Sequence, residues 1–357
     1  MNLDDQKIFA ELDTGKVAES IKSLYLQMRQ VLEQSDSIKI PKEYGSVTQV
    51  VVNGMGGSNI GVGLAQAALS DRWKAPISIT PGYEVLASVN EKTLYLISSY
   101  SGNTEEPLSV YEEIKRRGAK IMAICEAGDN RLSRLMEKDN LPGYRFKADH
   151  NPSGQPRLGL GYSVFGVAML LAKAGLVEIK EAEAEKIISH LEIQGEKLLP
   201  SRTTKDNLAK QLALKLYKKI PVIIGAEFLV GNLKVLRNQF NETSKNFASF
   251  LDLPDLNHYA LESLANPESN KNNLVFFFID SPLYHARIAK RSQLTKQIVE
   301  KHKISYAEHM LSGGSKLEQA FEMLQLGAWV TYYLAMLNKV NPVKIPWVDW
   351  FKKELGD

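Results

Sequence analysis

The sequence predicts an α/β protein that contains two doubly wound parallel sheets of flavodoxin-like or Rossmann-like architecture. Three observations favour this fold. Short apolar segments alternate with helical stretches, and two of these segments end in turns rich in glycine or hydroxyl side chains. The alternation then starts a second time, after a long helical region at about 160–218. Helical segments at both ends of the chain complete the predicted architecture.

Each predicted strand is a short apolar run, because parallel strands are buried on both faces. Five runs form the first predicted sheet, at 48–55, 77–80, 94–98, 120–127 and 144–148. Three runs form the second predicted sheet, at 220–227, 246–253 and 274–280.

Helical patterns lie between and around these strands. An amphipathic pattern with Ile21, Leu24, Met28 and Val31 on one face predicts a helix over about 16–34. Further helices are predicted at 62–69, 230–245, 284–302, 316–339 and 346–355. The elements suggest two similar α/β halves, as an ancient duplication would produce. The predicted division is a helical segment at 1–40, domains at 41–185 and 186–340, and a C-terminal helix at 341–357.

Composition narrows the function classes. The charged fraction is 24% and the net charge is +3, which is too small and too dispersed for a nucleic-acid-binding protein. One cysteine, Cys125, excludes an internal disulfide. The acidic start of the chain lacks a signal-peptide pattern, and no apolar run is long enough for a membrane span. We therefore expect a cytoplasmic protein without membrane or nucleic-acid partners.

The turn that follows the strand at 94–98 predicts a phosphate site. Ser99, Ser101 and Thr104 supply three hydroxyls, and Pro107 with its acidic neighbours opens a helix. Free N–H groups at a helix N-terminus favour an anion. The turn has no lysine, so it suits one phosphate monoester rather than a nucleotide. The alternative is an ordinary helix cap, which accounts for one hydroxyl but not for three.

A glycine-rich turn at 54–61 follows the first strand. It departs from the dinucleotide-binding pattern, because Asn59 stands where that pattern needs glycine or alanine. A tight turn through Gly56 and Gly57 would instead let the backbone approach a sugar, with Ser58 as a polar contact.

Two further segments carry candidate catalytic groups. Arg157 lies in a loop rich in proline and glycine, which makes it a candidate for an anion or oxyanion contact. Glu242 lies in a dense polar segment at 237–246, and His258 follows sixteen residues later. We expect this carboxylate and histidine on loops of one sheet edge, where they could perform acid–base chemistry on a sugar. The remaining histidines lack metal-ligand spacing, so we expect no metal and no cofactor.

Taken together, the motifs resemble the sugar isomerase (SIS) domain superfamily and, more narrowly, the bifunctional phosphoglucose/phosphomannose isomerases. The motifs that carry this resemblance are GMGGSNIG at 54–61, SYSGNTEE at 99–106, GQPRLGLGYS at 154–163, NQFNETSKN at 238–246, DLNH at 255–258 and the block at 326–345. The resemblance implies two sugar isomerase domains, each with a five-stranded parallel sheet. It also implies a homodimer whose active site lies at the domain and subunit junction.

The resemblance assigns roles to individual residues. It implies a sugar contact for Ser58 and a phosphate pocket of Ser99, Ser101 and Thr104. Arg157 matches the arginine near the reacting oxygens, Glu242 the general base, and His258 the ring-opening histidine, which the second subunit supplies. Lys352 matches the lysine of the C-terminal helix by position, with Lys353 as its competitor.

The implied activity is aldose–ketose isomerisation of glucose 6-phosphate, and of mannose 6-phosphate, to fructose 6-phosphate through a metal-free cis-enediolate. Asp255, Tyr259 and Val343 depart from the family pattern in regions that bear on mannose specificity. Two alternatives stay open. One is a non-catalytic phosphosugar-binding SIS regulator, and the other is an amino-sugar phosphate isomerase.

Overall fold

The computed structural model describes residues 2–356, with the side chain of Ile60 left aside. Within residues 2–356 there are fifteen α-helices: α1 (Lys7–Leu12), α2 (Val17–Lys22), α3 (Leu24–Ser35), α4 (Gly57–Ala68), α5 (Glu105–Ser109), α6 (Tyr111–Arg116), α7 (Arg131–Lys138), α8 (Gly166–Lys173), α9 (Glu181–Glu196), α10 (Leu208–Leu216), α11 (Val230–Glu242), α12 (Asn270–Asn273), α13 (Ala286–Lys301), α14 (Lys316–Leu337) and α15 (Pro346–Leu355). None of these described helices combines the length and the apolar character that a membrane span requires.

The first sheet confirms the sequence prediction. Its five parallel strands lie in the order β2-β1-β3-β4-β5. Their bounds are β1 (Gln49–Gly54), β2 (Ile77–Thr80), β3 (Thr93–Ser98), β4 (Lys120–Glu126) and β5 (Gly143–Phe146). All six residues of β3 are buried, as its apolar sequence predicts for the centre of a parallel sheet.

The second sheet has the order β7-β6-β8-β9, with four parallel strands in the described residues. The strands are β6 (Ile220–Ala226), β7 (Ser249–Leu253), β8 (Leu274–Asp280) and β9 (Ser305–Met310). Sequence analysis missed β9, because this edge strand alternates exposed polar and covered residues instead of forming an apolar run. The five strands implied by the resemblance are also wrong for this sheet, because only helices follow β9 along the described chain.

The helical predictions are right in place and differ at their ends. The helix expected over 16–34 is divided at Ser23 into α2 and α3. The helix expected at 62–69 already begins at Gly57, so Ser58 and Asn59 belong to its first turn. Gly56 supplies the sharp turn before it with a φ of 51°, which glycine adopts readily. Both sheets fall within the predicted segments 41–185 and 186–340, whose boundaries stay a prediction.

Helices α4 and α11 pack against each other in opposite directions and join the two sheets. Gly231, in the first turn of α11, lies against the backbone of Gly63 and Leu64 in the middle of α4. At the other end of α11, Glu242 lines the same cleft as Gly57, the first residue of α4. The carboxyl edge of the first sheet, where α4 begins, therefore meets the amino edge of the second sheet, where α11 ends.

We predict that Gly231→Ala destabilises the protein. A Cβ at this position would lie 2.5 Å from the Cα of Leu64, so the two helices would have to move apart. Overpacking of this kind costs roughly 1–3 kcal/mol of unfolding free energy, which urea unfolding followed by circular dichroism would measure.

Gly63→Ala is the matched control on the facing helix. Its Cβ would meet only the Cδ1 of Ile79, at 3.7 Å, which is ordinary contact. This variant should be neutral, or gain up to about 1 kcal/mol from helix propensity. Equal stability of the two variants would contradict the close helix contact.

Candidate active site

A cleft at the junction of α4 and α11 contains two of the predicted catalytic residues. Its wall is formed by Gly57, Arg157, Leu160, Val235, Asn238, Gln239, Glu242 and Thr243. The first sheet contributes the N-terminus of α4 and the loop before α8, and the second contributes the C-terminal half of α11. The cleft is thus a site to which both halves of the chain contribute.

Arg157 reaches the cleft from a short 3₁₀ turn, Pro156–Leu158, that packs against the start of α4. A side chain on Gly57 would meet the carbonyl oxygen of Pro156 at 3.6 Å and the Cα of Arg157 at 3.8 Å. Glycine at position 57 therefore lets the arginine loop lie directly on the first turn of α4.

Two of the three nitrogens of the Arg157 guanidinium already donate hydrogen bonds within the protein. Its Nη2 donates to the carbonyl oxygens of Val343 at 2.6 Å and Pro342 at 3.1 Å, and Nη1 donates to Gln155 at 2.8 Å. Its Nε is buried and has no hydrogen-bond partner within the described part of the chain. One donor of this arginine is thus left without a partner in the described protein.

Glu242 is the last residue of α11 and is half-buried in the cleft wall. Burial raises the pKa of Glu242, while the positive charges of Arg157, Lys245 and Lys352 lower it in part. A carboxylate whose pKa is raised above its ordinary value is a stronger base, and a pKa nearer neutrality suits a general base.

Lys352 and Asp349 bring α15 into this electrostatic group. Burial lowers the pKa of Arg157, and the charges of Glu242 and Asp349 oppose that shift. The charge of Lys352, in turn, lowers the pKa of Glu242. Of the two lysines considered from the sequence, Lys352 is thus the one that influences the pKa of Glu242.

Lys245 is a member of the group that sequence analysis did not select. It follows the end of α11, and its Nζ donates to the carbonyl oxygen of Asn341 at 2.7 Å. Much of Lys245 is exposed, but burial around its ammonium and the neighbouring charge of Arg157 lower its pKa to about 8, although Glu242 opposes this. Its only sequence signal was the density of polar residues at 237–246.

The predicted phosphate loop folds as a hydroxyl-lined turn between β3 and α5. Ser99 is fully buried, and its Oγ lies 2.7 Å from the Oγ1 of Thr104 and accepts the N–H of Thr104 at 3.3 Å. Ser101 is exposed at the tip of the turn, and Gly102 has a φ of 69°. The turn places Ser99 and Thr104 in contact at the N-terminus of α5, with Ser101 nearby in the chain at the tip.

Hydrogen bonds tie this turn to the two other loops at the same sheet edge. The Oγ of Ser58 accepts the N–H of Tyr100 at 3.0 Å, and Ser98 Oγ donates to the carbonyl oxygen of Ser58 at 3.1 Å. The Nδ2 of Asn151 donates to the Tyr100 hydroxyl at 2.9 Å, which connects the turn to the arginine loop. Hydrogen bonds therefore join the hydroxyl-lined turn, Ser58 and the arginine loop into one frame.

His258 does not lie in the cleft. It is an exposed residue that follows β7, at the carboxyl edge of the second sheet, whereas Glu242 precedes β7 at the amino edge. The length of α11 separates these edges, about 20 Å for its 13 residues. The prediction that the two share one sheet edge is wrong, because Glu242 ends a helix that has already crossed back over the sheet.

Among the described residues, no group of three or more His, Cys, Asp or Glu side chains is arranged to hold a metal ion.

Comparison with known proteins identifies the family. Residues 205–355 match the family described as bacterial phospho-glucose isomerase C-terminal SIS domain, and residues 48–139 match the SIS domain. A bifunctional phosphoglucose/phosphomannose isomerase of Caldicellulosiruptor bescii is 34% identical over 95% of this chain and 98% of its own length. The chain belongs to the bifunctional phosphoglucose/phosphomannose isomerase family. It is therefore an isomerase.

Other relatives agree with this assignment. The family member of Aquifex aeolicus is 30% identical over 88% of this chain and 93% of its own length. A solved structure of a hypothetical protein from Thermus thermophilus superposes with a TM-score of 0.72, covering 99% of this chain and 92% of the other. At 14% identity, that likeness supports the fold alone.

We predict that Lys352→Met raises the pKa of Glu242 further, because it removes one of the charges that lower it. Isomerase activity should need Glu242 ionised, so the acid limb of the kcat/KM profile should move to higher pH. Lys353→Met, on the next residue of the same helix, is the control and should leave the limb in place. A limb that moves with Lys353 and not with Lys352 would reverse the choice between them.

Proposed function

We propose that this protein interconverts glucose 6-phosphate and fructose 6-phosphate, and mannose 6-phosphate and fructose 6-phosphate, through a cis-enediolate. The observation that carries the proposal is the pairing of Glu242 with Arg157 in one cleft, on a frame that also carries the hydroxyl-lined phosphate turn. A base beside a guanidinium, at some distance from a phosphate site, suits proton transfer on a phosphorylated sugar.

In the proposed reaction, Glu242 removes the C2 proton of the open-chain aldose. Negative charge then develops on oxygen, and the guanidinium of Arg157 stabilises it. A proton passes from O2 to O1, and Glu242 returns its own proton to C1, which gives the ketose. One base serves both carbons because they are adjacent. For mannose 6-phosphate, rotation about the C2–C3 bond must present the other face of C2 to the same base.

The phosphate group is proposed to bind at Ser99, Ser101 and Thr104. In this structure Ser99 and Thr104 bond to each other, so a phosphate would take over hydroxyl groups that already point at one another. The first turn of α4 contacts this turn through Ser58 and the arginine loop through Gly57. Binding energy from the phosphate, which does not react, would orient the carbon chain against the base.

Ring opening needs a further acid–base group, which we propose to be His258 from a second copy of the chain. Within one chain, His258 lies at the opposite sheet edge from Glu242 and is exposed. The active form would then be a homodimer with its site at the subunit junction. We further propose that the enzyme works in the cytoplasm, in glycolysis and gluconeogenesis.

The rival proposal is a non-catalytic phosphosugar-binding regulator. Such a protein needs the phosphate turn but has no use for a half-buried carboxylate whose pKa is raised next to an arginine. The charge group around Glu242 therefore favours an enzyme.

We predict that Thr104→Val raises KM for glucose 6-phosphate roughly 10–100-fold, since a hydrogen bond to a charged group contributes about 1.5–3 kcal/mol. Steady-state kinetics would measure it. Ser109→Ala removes an exposed hydroxyl that bonds only to Glu106 on α5 among the bonds the structure describes, and it should leave KM unchanged. Equal binding of glucose and glucose 6-phosphate would exclude a phosphate site here.

We predict that Glu242→Gln lowers kcat by roughly 10²–10⁴-fold, because the amide cannot accept a proton from carbon. The nearly isosteric side chain should preserve the thermal melt and the binding of glucose 6-phosphate. Glu112→Gln, an exposed carboxylate on α6, is the control for charge alone. A folded Glu242→Gln protein with near wild-type turnover would show that the base lies elsewhere.

A further inference from the structure

The position of α15 is poorly explained by its own packing. Of its ten described residues none is buried, and Trp347 is 78% exposed. Lys352 nevertheless acts on the pKa of Glu242. Within one chain, the segment that leads into α15, rather than the face of the helix, therefore connects α15 to the cleft.

The C-terminal linker, residues 338–345 between α14 and α15, is tied to the body by side chains. The Nδ2 of Asn341 donates to the Thr14 hydroxyl at 2.9 Å, and the Nδ2 of Asn338 donates to the carbonyl oxygen of Ser244 at 3.0 Å. The Oδ1 of Asn341 accepts the N–H groups of Val343 and Lys344 and so shapes the turn. These contacts fix the start of the linker.

Two cations of the charge group hold the linker backbone. Lys245 donates to the carbonyl oxygen of Asn341 at 2.7 Å, and Arg157 donates to the next two carbonyl oxygens along the chain. Both cations also act on the pKa of Glu242. The residues that surround the base are thus the residues that hold the linker.

The two cations hold the linker from different elements. Arg157 reaches the carbonyl oxygens of Pro342 and Val343 from the arginine loop. The partners of Lys245 are backbone oxygens on both sides, Asn341 at 2.7 Å and Thr243 at 3.4 Å. Lys245 therefore bridges the end of α11 and the linker.

We propose that Lys245 is a positioning residue, which braces the C-terminal linker against the end of α11 and so holds Lys352 beside Glu242. This role rests on the proposed function for its effect on catalysis, and on geometry alone for its effect on α15. The ammonium donates to carbonyl oxygens of both elements, as the brace requires.

A double-mutant cycle tests the catalytic part. Lys245→Met should lower kcat/KM for glucose 6-phosphate roughly 10–100-fold, the scale on which small misplacements act. The charge of Lys245 also acts directly on the pKa of Glu242, so kcat/KM is compared on the plateau of its pH profile, where Glu242 is ionised. If Lys245 acts through Lys352 there, the double variant Lys245→Met/Lys352→Met should lose no more activity than Lys352→Met alone. Losses that multiply would show that Lys245 acts by itself and would overturn the proposal.

Hydrogen exchange measured by mass spectrometry tests the brace without reference to activity. Amides of 338–356 should exchange roughly tenfold faster in Lys245→Met, because local opening depends on the contacts that close the segment. Lys245→Arg keeps a charged donor and should restore slow exchange and most activity. Lys234→Met, an exposed residue on α11, should change neither.

Unchanged exchange in folded Lys245→Met protein would overturn the brace. If the wild type isomerised no hexose 6-phosphate, the proposed function would fail, while the exchange result would still decide whether Lys245 holds α15.

Discussion

The close contact between α4 and α11 is the constraint on which the rest of the site depends. Each helix follows the first strand of its own sheet, β1 or β6, so each crosses from the carboxyl to the amino edge. Gly231 allows the backbones of the two helices to touch. The helices lie antiparallel, so the start of one meets the end of the other. The start of α4, the arginine loop and the carboxylate at the end of α11 then line a single cleft.

The electrostatics of that cleft follow from crowding around one carboxylate. Burial raises the pKa of Glu242, whereas Arg157, Lys245 and Lys352 favour its charged form. Burial also lowers the pKa of Arg157 and Lys245, so the cations depend on Glu242 in turn. A partly buried charge is stabilised by opposite charges close to it. Removing the charge of one member therefore shifts the pKa of the others.

Much of the fold could be predicted because buried parallel strands are continuous apolar runs, as in β3 and β8. The strand β9 was not predicted, because it lies at the edge of its sheet and its exposed and covered residues are mixed. Within the site, the hydroxyl-lined turn could be predicted because one segment, Ser99 to Thr104, forms it. The separation of Glu242 from His258 could not be predicted, because it depends on where a helix ends relative to a sheet. The contacts of Lys245 could not be predicted either, because its partners are backbone oxygens that include one about a hundred residues away.

The second sheet repeats the strand order of the first without its last strand, as a duplication would produce. Under the proposed function, one half grips a terminal group and the other presents the base. Under the proposed function, the spacing between grip and base is set by how far the first copy lies from the second. The fold would then act as a ruler for chain length: a sugar phosphate one carbon shorter would bring the wrong carbon to the carboxylate. Substrate length would be selected by domain geometry rather than by any single side chain.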